Sequence, residues 1–196
     1  MSESNYIIAT NKAYETLMQF HEFSFPICIF NVVRQIKGIK LYTYSEFAKR
    51  HNLSFKEFYE LAPSNFGFTI INPPTKKHLI IYNEQKDEPI IRFTLAHELG
   101  HIILGHTKDN ESENREANCF ARNYLCPIPA VIEMGLKTTN DYMECFYVSE
   151  PMAEVAIDFK NCDYKNITTS NYNNYNDNVF CYMSGVSLSE LYGYQM

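Results

Sequence analysis

The sequence has no excess of positive charge. Its 196 residues include 17 Lys and Arg against 23 Asp and Glu, which gives a formal net charge of −6 at pH 7. A protein that binds nucleic acid directly needs a basic surface to neutralise the phosphates. The charge balance therefore argues against nucleic acid as a direct partner, and any link to DNA has to be indirect.

Long apolar runs and paired cysteines are also missing. No window approaches the roughly 18 uninterrupted apolar residues of a membrane span, and the first ten residues, MSESNYIIAT, contain no basic segment followed by an apolar run. The cysteines are Cys28, Cys119, Cys126, Cys145, Cys162 and Cys181, and none forms a C-x-x-C pair. Free thiols in a reducing compartment are expected, and we predict a cytoplasmic protein that contacts no membrane.

Strand patterns come early in the chain and helical patterns come late. Residues 39–44 are typical of a strand, and residues 66–71 and 79–82 predict a β-hairpin around a turn at Asn72, Pro73 and Pro74. Helices are predicted over 3–20, 54–61, 90–104, 112–125, from 129, and over 141–147 and 150–160. Because the later helices follow the strands instead of alternating with them, the pattern favours an α+β fold.

The chain is predicted to form one domain, residues 1–165, followed by an extension. Residues 166–196 are rich in Asn and Tyr, and the stretch 165–178 is poor in apolar side chains, which predicts a partly mobile loop. The two helices before it contain five acidic residues and a single basic residue, Lys160. Although their spacing suggests a helix-turn-helix, this charge favours packing or protein docking over DNA binding.

One short motif indicates chemistry: His97-Glu98-Leu99-Gly100-His101, which fits H-E-x-x-H. Residues four apart on a helix lie about 40° apart around its axis, so His97 and His101 can share one divalent ion. Glu98 lies to the side, where it can act as a general base without ligating the metal. The surrounding helix is almost entirely apolar, and buried titratable groups need a common partner, which Zn²⁺ supplies.

His106 is excluded as a third ligand by the same geometry. If the helix continued, His106 would lie about 180° from His97. The longer pattern H-E-x-x-H-x-x-G-x-x-H does not fit either, because it needs Gly at 104 and His at 107, where this chain has Leu104 and Thr107.

The segments RFTLAHELGHIILGH (92–106), EANCFARNYLCP (116–127) and FYVSEPMAEVAI (146–157) together resemble the ImmA/IrrE family of metallopeptidases. The resemblance implies a small zincin-like domain, in which a β-hairpin or small sheet packs on the H-E-x-x-H helix and the next helix carries a further zinc ligand. It also implies a regulatory endopeptidase that cleaves a protein substrate, namely a helix-turn-helix repressor of a mobile element or stress response.

The third zinc ligand departs from the family pattern. The glutamate of the family's E-x-x-A-x-x-F-A falls on Asn114 in this chain. Helical angles favour Glu113 as its replacement, with Asn114 as a poorer oxygen donor and Glu116 as a weaker candidate on another face. Two hypotheses follow: an active metalloendopeptidase with Glu98 as its base, or a catalytically weak or inactive binding module that sequesters a regulator protein.

Overall fold

The computed structural model describes residues 3–72, 75, 77–108 and 110–193, which mix helices with a small sheet. The first half contains helices α1 (Glu3–Gln19), α2 (Ile29–Gln35), α3 (Tyr44–Arg50) and α4 (Phe55–Leu61) and strands β1 (Ile39–Thr43), β2 (Gly67–Asn72) and β3 (Lys77–Tyr82). The second half contains helices α5 (Glu88–Leu104), α6 (Glu111–Leu125), α7 (Ile128–Glu133), α8 (Thr139–Phe146), α9 (Glu150–Asn166), α10 (Thr169–Ser184) and α11 (Leu188–Leu191). The predicted α+β class is confirmed.

The chain divides into two compact units, which we call the central unit (Cys28–Asn118) and the terminal unit (Met1–Ile27 with Cys119–Met196). Helix α6 begins in the central unit and ends in the terminal unit. The domain boundary that the sequence predicts at residue 165 stays a prediction.

The central unit is built on a three-stranded sheet in the order β1-β3-β2. β2 and β3 are antiparallel, with Gly67 opposite Tyr82, so the predicted hairpin is confirmed. Pro73 and Pro74 of its predicted turn lie outside the described residues. β1 pairs in parallel with β3, and a buried cluster of Tyr44, Ala48, Phe58 and Ile81 packs beside the sheet.

Helix α3, which the sequence pattern did not predict, begins with a capping box. The Thr43 side chain accepts a hydrogen bond from the backbone N–H of Glu46, while the Glu46 carboxylate accepts one from the backbone N–H of Thr43. This reciprocal pair satisfies two amide groups that would otherwise lack partners at the helix start. It lets a seven-residue helix follow β1 directly.

Gly67 allows helix α5 to approach strand β2 closely. A Cβ atom at this position would lie 2.6 Å from Thr94 Cγ2 and 3.0 Å from the carbonyl oxygen of Ile81. Both distances are shorter than a carbon atom tolerates without movement of its neighbours. The bare glycine therefore sets the spacing between the sheet and the helix that carries the motif.

We expect Gly67→Ala to lower the free energy of unfolding by about 1–3 kcal/mol, because the added methyl group overpacks this contact. Thr94→Ser removes the methyl group that lies nearest, so the double variant should recover part of the loss. Urea unfolding of the wild type, both single variants and the double variant measures this. Additive losses in the double variant would contradict the assigned contact.

The terminal unit folds the Asn- and Tyr-rich segment into a helix. The loop predicted over residues 165–178 is wrong, because α9 continues to Asn166 and α10 occupies Thr169–Ser184. Tyr175 is fully buried, packs edge-on against Tyr14 at 5.5 Å between ring centroids, and donates to the carbonyl of Glu22. Asn11 accepts a hydrogen bond from the Thr168 backbone N–H. Tertiary contacts thus override the weak helix propensity of the segment.

A buried ion pair joins α6 to α9 within the terminal unit. Arg122 Nε and Nη2 donate to the two carboxylate oxygens of Asp163 at 2.5 and 2.7 Å. The side chains are only 9% and 2% exposed, and the guanidinium lies 4.3 Å from the ring centroid of Phe159. Each charge depends on the other, since a lone buried charge has neither solvent nor a counter-ion.

Asp163→Ala should therefore lower the free energy of unfolding by about 3 kcal/mol, because it leaves the Arg122 charge buried without its partner. Asp158→Ala, which removes an exposed carboxylate from the same helix, is the matched control and should change stability by less than about 0.5 kcal/mol. Chemical denaturation of both variants gives the comparison. Equal losses would contradict a specific role for the buried pair.

None of the six cysteines forms a disulfide. Cys119 is buried on α6 and Cys126 is buried just after it, and burial raises the pKa of the Cys119 thiol to about 11. These two thiols are packing groups. Among the described residues, no helix combines the length and the apolar content that crossing a bilayer requires.

Candidate metal centre

Helix α5 carries the whole H-E-x-x-H motif and ends just after it. Glu88 and Pro89 occupy its first turn, a position that favours acidic residues and tolerates proline. Gly105 adopts a left-handed conformation, with φ of 71°, and stops the helix after Leu104. The predicted helix and its glycine stop are confirmed.

The two motif histidines direct a nitrogen toward the same point. His97 Nε2 and His101 Nε2 lie 3.0 Å apart on adjacent turns of α5. In a tetrahedral zinc site with bonds of about 2.0–2.1 Å to each imidazole, two ligand nitrogens lie about 3.4 Å apart. The observed separation is close to the one that a shared ion requires.

His97 is held in the neutral form that a metal ligand needs. Its Nδ1 atom lies 2.8 Å from Asn118 Oδ1, and because an amide oxygen only accepts, Nδ1 carries the proton and Nε2 is left as the free lone pair. Burial, and next the neighbouring His101, lower the pKa of His97 to about 4. At neutral pH the imidazole is therefore uncharged and able to bind a cation.

Glu98 lies beside the histidines in a fixed position. The residue is 8% exposed, and its Oε2 atom accepts a hydrogen bond of 2.8 Å from Thr69 Oγ1 on β2. This contact ties the carboxylate to the strand that lines the cleft. Thr69 is a residue of the site that sequence reasoning did not identify, since nothing in the motif marks its partner strand.

These side chains line a cleft of about 550 Å³ in the central unit. One wall is the outer strand of the sheet, β2, and the other carries the motif and the turn after it. The lining residues include Gly67, Phe68, Thr69 and Ile71 from the strand, together with His97, Glu98, His101, His106 and Asn114. The cleft is large enough for a short peptide segment.

His106 lies next to the motif. Its Nδ1 atom is 3.0 Å from His101 Nδ1, and its Nε2 atom is 3.2 Å from Glu116 Oε2. The position expected from the sequence is wrong, because that argument continued the helix past residue 104. The left-handed backbone of Gly105 instead turns the chain back toward the helix.

The three candidates for a third ligand lie at different places on α6. Asn114 hydrogen-bonds His97 and lines the cleft. Glu113 accepts from the backbone N–H of Lys108 at 2.9 Å, and Glu116 contacts His106. In the described part of the chain, His101, His106 and Glu113 bring three potential ligand atoms within 4.8 Å of one another, a set that does not contain His97. Glu113 as the partner of both motif histidines stays a prediction.

The donor set fits a divalent ion of the zinc type. Two imidazole nitrogens converge, one of them with a fixed tautomer, and oxygen donors on the first turns of α6 lie close by. Imidazole with carboxylate or amide oxygen is a combination that zinc accepts in catalytic sites. A helix with this motif beside a cleft and a sheet edge is the arrangement that the sequence analysis predicts for a metallopeptidase.

Comparison with known families agrees with this class. Residues 65–157, just under half of the chain, match the model of the IrrE N-terminal-like domain, peptidase family M78. The match confirms the resemblance of these residues to the ImmA/IrrE family that the motifs predicted, and a match of this kind suggests a peptidase that uses a metal, typically zinc. No curated protein and no solved structure is significantly similar to the chain.

The ligand set can be tested by metal analysis. His97→Ala should abolish stoichiometric zinc binding, whereas Asn114→Glu should tighten it, because a carboxylate donates more charge to zinc than an amide does. Competition with a chromophoric chelator measures both. Glu113→Gln separates the remaining alternatives, since it weakens zinc binding only where the Glu113 carboxylate is the ligand. Zinc binding by His97→Ala at the wild-type affinity would contradict the site.

Proposed function

We propose that the protein is a zinc-dependent endopeptidase of the ImmA/IrrE type with a zincin-like site. His97 and His101 would hold the ion together with an oxygen donor from α6, Glu113 or Asn114. The observation that carries the proposal is the convergence of His97 Nε2, His101 Nε2 and the Glu98 carboxylate on one cleft. The match to a peptidase family supports it.

The residues of this chain divide the chemistry among them. Bound zinc would supply a Lewis acid that polarises the scissile carbonyl. Glu98 would take a proton from the attacking water and later deliver it to the leaving amine, a role that its position beside the histidines supports. Thr69 would keep the carboxylate aimed through its 2.8 Å hydrogen bond.

The substrate would bind as an extended segment along β2. This strand has one neighbour in the described sheet, β3, and its residues line the cleft. An edge strand offers backbone N–H and C=O groups to which another strand can add, so the affinity does not depend on the sequence bound. A protein substrate fits this wall better than a small molecule does.

We further propose that the substrate is a helix-turn-helix transcriptional repressor of a mobile element or stress response. The family resemblance suggests this class, and the net charge of −6 suits a protein that acts on a DNA-binding protein and not on DNA. Helices α8 and α9 expose four acidic residues that can contact a basic partner, namely Glu144, Glu150, Glu154 and Asp158.

A second function is favoured by one observation. Asn114 occupies the position of the family's glutamate ligand, and a neutral amide binds zinc more weakly than a carboxylate. The alternative is a binding module of the same fold that sequesters a regulator without cleaving it. Stoichiometric zinc in the purified protein would argue for the enzyme, and its absence would argue for the module.

Glu98→Gln should retain zinc but lower the cleavage rate by about 10²–10⁴, because the amide cannot accept the proton. Cleavage can be followed by mass spectrometry on the helix-turn-helix protein encoded nearest to this gene. Glu88→Gln, an exposed position on the same helix, is the matched control and should cleave at the wild-type rate. Unchanged cleavage by Glu98→Gln would overturn the assigned role.

A further inference from the structure

The turn that follows α5 places a second histidine against the back of the motif. His106 is 7% exposed. Its ring contacts the His101 ring edge-on, with 4.9 Å between the ring centroids. This contact lies on the side of His101 that faces away from His97, because Nδ1 and Nε2 are on opposite sides of the ring.

Hydrogen-bond chemistry fixes the direction of this contact. Glu116 Oε2 is a carboxylate oxygen and only accepts, so His106 Nε2 is the donor at 3.2 Å. The hydroxyl of Ser112 donates to the other carboxylate oxygen at 3.3 Å. In the neutral imidazole a proton on Nε2 leaves Nδ1 bare, so a neutral His106 accepts at its second contact through Nδ1.

The donor at that second contact is His101 Nδ1, 3.0 Å away. With its proton on Nδ1, His101 presents the Nε2 lone pair on the side where His97 Nε2 lies. The carboxylate on α6 thus determines the tautomer of a residue that it does not touch, through one intervening imidazole. Asn118 does the same for His97 in a single step.

We propose that His106 and Glu116 are positioning residues that orient His101 and select its metal-binding tautomer. This proposal rests on the zinc site of the proposed function. It also assigns Glu116 to the support of a ligand and not to the metal, because its carboxylate is occupied by His106 and Ser112. Partners of this type raise the basicity of a ligating imidazole, and their loss costs about 10–100-fold in metal affinity.

Zinc affinity of the intact protein, measured by chelator competition, tests the proposal. His106→Ala should weaken zinc binding by about 10–100-fold, and Glu116→Ala by about 10-fold. The double variant should bind no more weakly than His106→Ala, since both residues act through the same contact. Glu111→Ala, an exposed carboxylate on the same helix, is the matched control and should bind as the wild type does.

His106→Asn distinguishes support from direct ligation. An asparagine oxygen can occupy the place of the histidine Nδ1 atom and accept from His101, so this variant should regain most of the lost affinity. If His106→Asn binds zinc as weakly as His106→Ala, or if the losses in the double variant add, the proposal is wrong. Variants that bind zinc as the wild type does would also overturn it.

The tautomers can be read directly. In zinc-loaded protein, long-range ¹H–¹⁵N correlation should show His101 protonated at Nδ1 and His106 protonated at Nε2. The opposite tautomer at either residue overturns the proposal independently of any loss of stability in the variants. If the wild type binds no zinc at all, the proposed function fails. If the wild type binds zinc and the variants bind it equally well, only the positioning role of His106 and Glu116 fails.

Discussion

The approach of His97 Nε2 to His101 Nε2, at 3.0 Å, is the contact on which the functional arrangement of the central unit depends. Two imidazole nitrogens that both present lone pairs repel each other unless a cation or a proton lies between them. The structure holds each ring from behind, His97 through Asn118 and His101 through His106. The pairing is therefore preorganised by the fold, which lowers the cost of binding an ion.

The rest of the central unit holds this pair beside β2, the strand that lines one side of the cleft. Gly67 lets α5 lie close to β2, and Thr69, two residues further along that strand, reaches Glu98. The buried aromatic cluster around Tyr44 supports the sheet next to it. Because β2 is an outer strand of the described sheet, the element that holds the Glu98 carboxylate is also the one on which we propose that a substrate binds.

The departure at Asn114 bears on how strongly the protein binds metal. In this chain the amide hydrogen-bonds His97, while two carboxylates on α6, those of Glu113 and Glu116, serve the loop after α5 and His106. If Asn114 is the ligand, the negative charge of these carboxylates lies beside the ion instead of on it. A carboxylate that does not touch the ion still favours cation binding in a buried site, although less than a directly ligating carboxylate does.

Much of the fold could be predicted because its signals are local. The hairpin, the motif helix and its stop at Gly105 each depend on residues that are neighbours in the chain. Helix α10 could not be predicted, because its Asn-rich sequence gains stability from the burial of Tyr175 against Tyr14, a residue more than 150 positions away. The parallel pairing of β1 with β3 is likewise a long-range contact.

The sequence by itself determined that His97, Glu98 and His101 lie on one helix at this spacing, and that residues 65–157 match a peptidase family. Helical periodicity suffices for that, since it relates residues within a single element. Only the tertiary structure decided which side chains surround the motif, namely Thr69, Asn118, His106 and Glu116. Their positions depend on where a strand, a turn and a second helix meet α5, and the left-handed turn at Gly105 reverses the direction that helical geometry alone assigns to His106.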